Sequence, residues 1–117
     1  MPDSKPPLAG IKVIDCSRVL AGPYCCELLS LLGAEIIKVE SHAGDEGRLW
    51  PPHKGDMGSS FLGLNANKRS IAVNLKSLDG VEIVKNLAAE ADVLVENFKT
   101  GDMERFGLGY DDLKALN

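Results

Sequence analysis

Apolar and polar positions along this chain fall into blocks whose period changes from strand to helix and back. Residues 11–14 (Ile-Lys-Val-Ile) are a short β-branched run, Ala21-Gly22-Pro23 interrupts it, and Cys25, Leu28, Leu29 and Leu32 then recur at the i, i+3, i+4, i+7 spacing of one helix face until Gly33 stops the pattern. A second run, Ile36-Ile37-Lys38-Val39, follows at once and ends on Glu40. The sequence thus predicts a βαβ unit. Pro23 suits a first helical turn, where its missing N–H has no partner to lose, and Gly33 suits the position after the last turn, where positive φ is common. A parallel strand pair needs this crossover, in its right-handed form. The turn between strand and helix therefore belongs at the carboxyl edge of a parallel sheet, where N–H groups at a helix start favour anionic ligands.

Beyond Glu40 lies a Gly-, Pro- and Ser-rich segment, 41–60, holding Asp45, Arg48, Trp50, both histidines and Pro51-Pro52. A loop of that length inside a small domain is expected to be functional or covered by a partner. Phe61 to Leu64 suggests a helical turn, 71–75 a third strand, and Ser77 the cap of a helix with Asp79 in its first turn and Val81, Val84, Leu87, Ala88 and Ala91 facing a sheet. A fourth strand is expected at 92–95 and two short helices at 101–106 and 110–116. This order predicts an α/β fold, a Rossmann-like parallel sheet with flanking helices. Residues 1–10 read as an irregular leader, and 11–117 as one domain that is incomplete, because four parallel strands with bare edges need cover.

Composition narrows the class. The chain has 117 residues, 44% hydrophobic and 26% charged, which is globular rather than disordered. No apolar run approaches the roughly 20 residues of a spanning helix, and MPDSKPPLAG lacks the apolar core of a signal peptide, so a membrane is not an expected partner and the cytoplasm is the expected location. A net charge of −4 argues against nucleic acid while leaving room for local basic groups on a small phosphorylated ligand. Cys16, Cys25 and Cys26 form no CxxC pair and are expected to be reduced, with Cys25 in the core and Cys26 on its flank. His42 and His53 lack ligand spacing, and no metal site is expected.

Several side chains carry chemistry with two readings each. The Ala21-Gly22-Pro23 turn lacks the GxGxxG spacing of a dinucleotide fold. Glu40 stands where a Rossmann acid would hold a ribose, or is a solvated loop carboxylate. Asp15, Glu40 and Glu96 all fall at strand carboxyl ends and either share a crevice or simply follow the topology. Lys68-Arg69 and Lys76 either clamp phosphates or are solvated charges at strand ends. Trp50 reads as a cap over apolar surface.

Read together, Leu8-Ala-Gly-Ile-Lys-Val-Ile-Asp15, Val19-Leu-Ala-Gly-Pro23, Leu32-Gly-Ala-Glu-Ile-Ile-Lys-Val-Glu40, Gly44-Asp45, Asn67-Lys-Arg-Ser-Ile71, Asp92-Val-Leu-Val-Glu-Asn-Phe98 and Arg105-Phe-Gly-Leu-Gly109 resemble the family III CoA-transferases. That group includes formyl-CoA transferase, carnitine CoA-transferase, succinyl-CoA-dependent dicarboxylate transferases and α-methylacyl-CoA racemase. The segments run in family order over nearly the whole chain and match the N-terminal part of a longer protein. The resemblance implies a half-domain that binds the nucleotide end of coenzyme A through Ala21, Val73, Lys76, Asn97, Phe98, Asp102 and Arg105. Chemically, Lys76 and Arg105 suit phosphates, Val73 and Phe98 suit an adenine, and Asn97 both donates and accepts.

The resemblance also implies a homodimeric parent enzyme acting on an acyl-CoA and a carboxylic acid, with coenzyme A as substrate and no permanently bound cofactor. Its aspartate nucleophile would lie outside this chain, so no catalytic residue is expected here. Leu20 replaces a glutamine of the oxalate-using members, which favours a larger dicarboxylate or another acceptor, and Ser41 stands where some members carry an arginine. Two alternatives remain, an acyl-CoA racemase of the same family and a non-catalytic nucleotide-binding module. A receiver-type module is disfavoured because Asp15 is followed by Cys16-Ser17-Arg18 rather than by further acids.

Overall fold

The computed structural model of the chain describes residues 3–117. Its elements are β1 (Lys12–Asp15), α1 (Ala21–Leu31), β2 (Glu35–Glu40), a 3-10 turn (Glu46–Leu49), β3 (His53–Lys54), β4 (Met57–Gly58), α2 (Ser59–Leu64), β5 (Arg69–Ala72), α3 (Leu78–Ala89), β6 (Val93–Val95), α4 (Asp102–Arg105) and α5 (Tyr110–Leu116). Four strands form one parallel sheet in the order β5-β2-β1-β6. The parallel α/β arrangement expected from the sequence is therefore present. The described part of the expected leader, 3–10, is irregular, with Leu8 N–H donating to the Leu32 carbonyl at 2.9 Å.

Successive side chains of β1 and β2 enter opposite cores, which is why both strands read as unbroken apolar runs. Val13 and Ile36 pack with Cys26 and Leu29 beneath α1. Ile14 and Val39 pack with Val73, Val84, Met103 and Leu108 on the other face, beneath α3 and the segment around α4. The α3 start follows the expected cap, with the Ser77 hydroxyl accepting the Gly80 N–H at 3.0 Å.

Three expectations change. The inward face of α1 is Gly22, Pro23 and Cys26, with Leu29 half-buried, while Cys25, Leu28 and Leu32 are exposed. Thus Cys26, not Cys25, is the core thiol. Gly22 decides this: a Cβ there would stand 2.1 Å from the Ser17 Cβ, so the helix makes its closest approach on the glycine side and buries positions i+4 and i+7 from it. The third strand runs 69–72 rather than 71–75, because its partner β2 ends at Glu40, paired with Ala72. Only the Val73 N–H reaches back, to the Glu40 carbonyl at 2.7 Å. The 41–60 segment is not structureless; it holds the 3-10 turn, the β3-β4 hairpin and the start of α2. Trp50 there is half exposed.

Candidate functional site

The loops at the carboxyl ends of β1, β2, β5 and β6 converge, and a buried polar network fixes the first of them. Lys38 is fully enclosed, its Nζ 2.9 Å from an Asp45 oxygen and 3.0 Å from the Ser17 carbonyl. Lys68 donates to Asp15 at 2.9 Å, to the Pro23 carbonyl at 2.8 Å and to the Asn65 side chain at 2.9 Å. Asp15 also receives the Ser17 hydroxyl and, at 3.0 Å, the Ser17 N–H. Each buried ammonium thus has carboxylate and carbonyl partners, the condition under which burial of charge is tolerated. Lys68 is thereby committed to the scaffold and is not a phosphate clamp. Its neighbour Arg69 pairs with Glu35 on the surface.

This network sets the conformation of the β1–α1 turn. Val19 has φ of +71°, a left-handed conformation that a β-branched residue adopts at a cost of about 1–3 kcal/mol. Its N–H is held by both oxygens of Asp45, at 3.2 and 3.3 Å, and Asp45 in turn accepts the Gly47 N–H at 2.9 Å. From the other side Asn97 clasps the same turn, accepting the Arg18 N–H at 2.8 Å and donating to the Arg18 carbonyl at 2.7 Å. The start of α1 carries no side-chain cap and no acid in its first turn. It keeps the N-terminal N–H groups and dipole that attract negative charge.

Two adjoining hollows result. One, of about 470 Å³, is lined by Arg18, Glu40, His42, Val73, Lys76 and Phe98 among others. The other, of about 270 Å³, lies between Arg18, Leu20, Ala21, Glu46 and Asn97. Arg18 and Glu46 line both hollows and stand 3.4 Å apart at the divide. The larger hollow has an apolar wall of Val39, Val73, Leu75, Phe98 and Phe106. Phe98 meets Phe106 edge to face, centroids 5.8 Å apart, and the Arg18 guanidinium lies 4.9 Å from the Phe98 centroid. An apolar slot rimmed by cations suits a ligand with a flat heterocycle and phosphates.

Of the residues singled out by sequence, Val73, Lys76 and Phe98 share the larger hollow, and Ala21 and Asn97 the smaller one. Asp102 and Arg105 pair with each other on α4 and line neither. The three strand-end acids do not gather. Asp15 is sealed in the lysine network, and Glu96 accepts the Phe98 N–H at 2.8 Å. Glu40 does line the hollow, but it is already bound by Arg48 through two contacts of 2.8 Å, by the Asp45 N–H at 3.0 Å and by the Ser70 hydroxyl at 3.1 Å. It is a scaffold acid and not a free ribose acceptor. Burial works to raise its pKa, but the Arg48 and Asp45 hydrogen bonds outweigh it and hold the carboxyl below its ordinary value.

Burial, with Asp15 adding to it, pushes the thiols of Cys16 and Cys26 up to about 12, so neither is a nucleophile at neutral pH. Among the described residues no group of His, Cys, Asp and Glu is arranged to hold a metal, and no helix is long and apolar enough to cross a membrane. Sequence reasoning missed the site roles of Arg18, Val19, His42 and Asp45. Nothing local marks them, since Arg18 and Val19 meet partners 26 to 79 positions away.

Residues 8–117 match the family described as CoA-transferase family III. The succinyl-CoA:glutarate CoA-transferase of Homo sapiens is 51% identical over 112 residues, covering 94% of this chain and 26% of the human protein. The succinate–glutarate CoA-transferase of Agrobacterium fabrum is 42% identical over all of this chain and 31% of its own length. Among solved structures, a CAIB/BAIF family protein from Brucella suis superposes with a TM-score of 0.86 at 42% identity, covering 97% of this chain and 32% of that one. A hypothetical protein from Mycobacterium tuberculosis gives 0.89 at 38% identity, covering 97% and 30%. The chain therefore spans about a third or less of the length of the relatives it matches.

Proposed function

The chain belongs to CoA-transferase family III, and on that basis we propose that it is the CoA-binding N-terminal portion of an enzyme that moves coenzyme A from an acyl-CoA to a carboxylic acid. The observation that carries this reading is the convergence of Arg18 and Lys76 on an apolar slot walled by Val73 and Phe98, with the uncapped start of α1 at Ala21 lining the adjoining smaller hollow. In this reading the adenine lies against Val73 and Phe98, and Lys76 meets a phosphate of the ligand. Ala21, at the start of α1, lines the passage toward the thioester end. Asn97 acts by holding the turn at Arg18, while Asp102 and Arg105, which pair with each other and line neither hollow, rest on the family resemblance alone.

In the parent enzyme an aspartate outside residues 1–117 would attack the acyl-CoA thioester, giving a mixed anhydride and free coenzyme A thiolate. The thiolate would attack the aspartyl carbonyl, giving an aspartyl-CoA thioester and releasing the donor carboxylate. The acceptor carboxylate would reverse the two steps to leave as its own CoA thioester. Residues 1–117 alone would bind without turnover. Leu20, more than half exposed beside Ala21, offers an acceptor no hydrogen bond, and the names of the relatives point to dicarboxylates of the succinate and glutarate class.

Calorimetric titration of coenzyme A tests the reading. Lys76→Ala is expected to weaken binding by about fivefold, the scale of one partly solvated charge contact. A folded chain that takes up no coenzyme A, or a Lys76→Ala variant with unchanged affinity, contradicts the placement of the nucleotide.

A further inference from the structure

Val19, with φ of +71°, is the only non-glycine residue with positive φ among the described residues, and it lines the smaller hollow between Arg18 and Leu20. Its N–Cα rotation is fixed between two bodies. On one side is the peptide plane of Arg18 and Val19, bonded at both ends: the Arg18 carbonyl accepts Asn97 Nδ2 at 2.7 Å, and the Val19 N–H donates to both oxygens of Asp45, at 3.2 and 3.3 Å. On the other is the start of α1, held by the Tyr24 N–H on the Leu20 carbonyl at 2.8 Å and by Gly22 closing on Ser17. Asp45 is rooted in the scaffold through Lys38 at 2.9 Å, both side chains 1% exposed. Asn97 is exposed, and its two bonds, the second from the Arg18 N–H at 2.8 Å, reach across 79 positions of sequence to this turn. A β-branched residue resists positive φ, and strain that the surroundings hold in place is a mark of functional constraint. The held plane also aims Arg18, whose guanidinium stands 4.9 Å from the Phe98 centroid and 3.4 Å from Glu46 at the divide between the hollows.

Resting on the CoA-site reading above, we infer that Val19 and Asn97 are a positioning pair: the Asn97 clasp offsets the left-handed strain at Val19 and keeps the turn in the conformation that presents Arg18 and Ala21 to the ligand. Asn97 acts through the backbone of Arg18 and not by contact with the ligand. Released from the clasp, Val19 returns to negative φ, and the rotating peptide plane carries Arg18 off the divide. Affinity then scales with the fraction of chains whose turn is clasped. The strain at Val19 is the reason the clasp is needed, so a residue that accepts positive φ without penalty makes the clasp dispensable. A direct contact between Asn97 and the ligand would carry no such dependence on residue 19.

The test is a double-mutant cycle read by calorimetric titration of coenzyme A into the full chain, with circular dichroism confirming that each variant is folded. Asn97→Ala in the wild-type background is expected to raise Kd about tenfold, the scale of two lost hydrogen bonds acting on the clasped population. In the Val19→Gly background the same substitution is expected to raise Kd by about twofold or less. In the Val19→Ile background, which keeps the β-branch, it is expected to cost about tenfold again. Asn97→Ser, too short to reach both Arg18 groups, replaces the alanine variant if that one does not fold. Equal Asn97→Ala ratios in the wild-type and Val19→Gly backgrounds overturn the inference, because Asn97 would then act on the ligand itself or by a route that bypasses Val19. An Asn97→Ala chain with wild-type affinity overturns it as well. Both outcomes leave the CoA site intact where Lys76→Ala still weakens binding. Absence of binding by folded wild type overturns the inference together with the reading beneath it.

Discussion

Asp45 shows how a single buried carboxylate shapes the site through the backbone it holds. It neutralises Lys38, takes the N–H of a left-handed Val19 and caps the 3-10 turn through Gly47, so three backbone segments depend on its two oxygens. Glu40 plays the parallel part for Arg48, and its effect can be followed by pH. Its carboxyl is held below the ordinary value in the folded chain, so its contribution to stability is complete above the unfolded pKa, near 4.5, and is lost as pH falls through the folded value. Acid unfolding of Glu40→Gln, monitored by circular dichroism, is expected to be less steep below pH 4.5 than that of wild type; superimposable slopes would remove Glu40 from the account. Neither acid's role was legible in the sequence. A Gly44-Asp45 pair in a polar segment and a carboxylate closing a strand look like solvent-facing residues, and their partners become visible only when β1, β2 and the 46–49 turn meet.

At the level of elements, the strands were legible and the helix orientation was not. Buried parallel strands write themselves as β-branched runs, and Ser77 with Asp79 marks the α3 start by local chemistry. The α1 sequence is apolar on nearly every side, with Tyr24, Leu28, Leu31 and Leu32 exposed opposite Cys26, so period alone selects no face. Gly22 selects it. Gly22→Ala is expected to cost about 1–3 kcal/mol in urea unfolding, because a methyl 2.1 Å from the Ser17 Cβ forces the start of α1 off the β1–α1 turn. Gly63→Ala in α2, where no heavy atom lies within 4 Å of the new methyl, is the matched control and is expected to be neutral or to stabilise by up to about 1 kcal/mol. Equal effects at the two positions would mean that the close approach at Gly22 does not orient the helix. The site residues divide in a similar way: Lys76 was readable as a charge at a strand end and Val73 and Phe98 came with the family resemblance, whereas Arg18 and His42 enter the hollow only through the tertiary path of their loops.

Across the whole molecule, the two enclosed lysines join what the chain separates. Lys38 rises from β2 to Ser17 and Asp45, and Lys68 reaches from the approach to β5 to Asp15 and the Pro23 carbonyl inside α1. The sheet, the helix over it and the loop across its edge therefore have to part together before either amine meets solvent. These lysines can serve as a built-in record of opening. Under a pulse of a small acylating reagent, exposed Lys76 should be modified at once, while Lys38 and Lys68 should acquire the label at a common slow rate that climbs with urea as the global unfolding equilibrium does. Prompt labelling of Lys38 in native buffer would mean that the turn opens by itself. On this structure the two scaffold amines stay beyond the reach of an acylating reagent for as long as the chain stays folded.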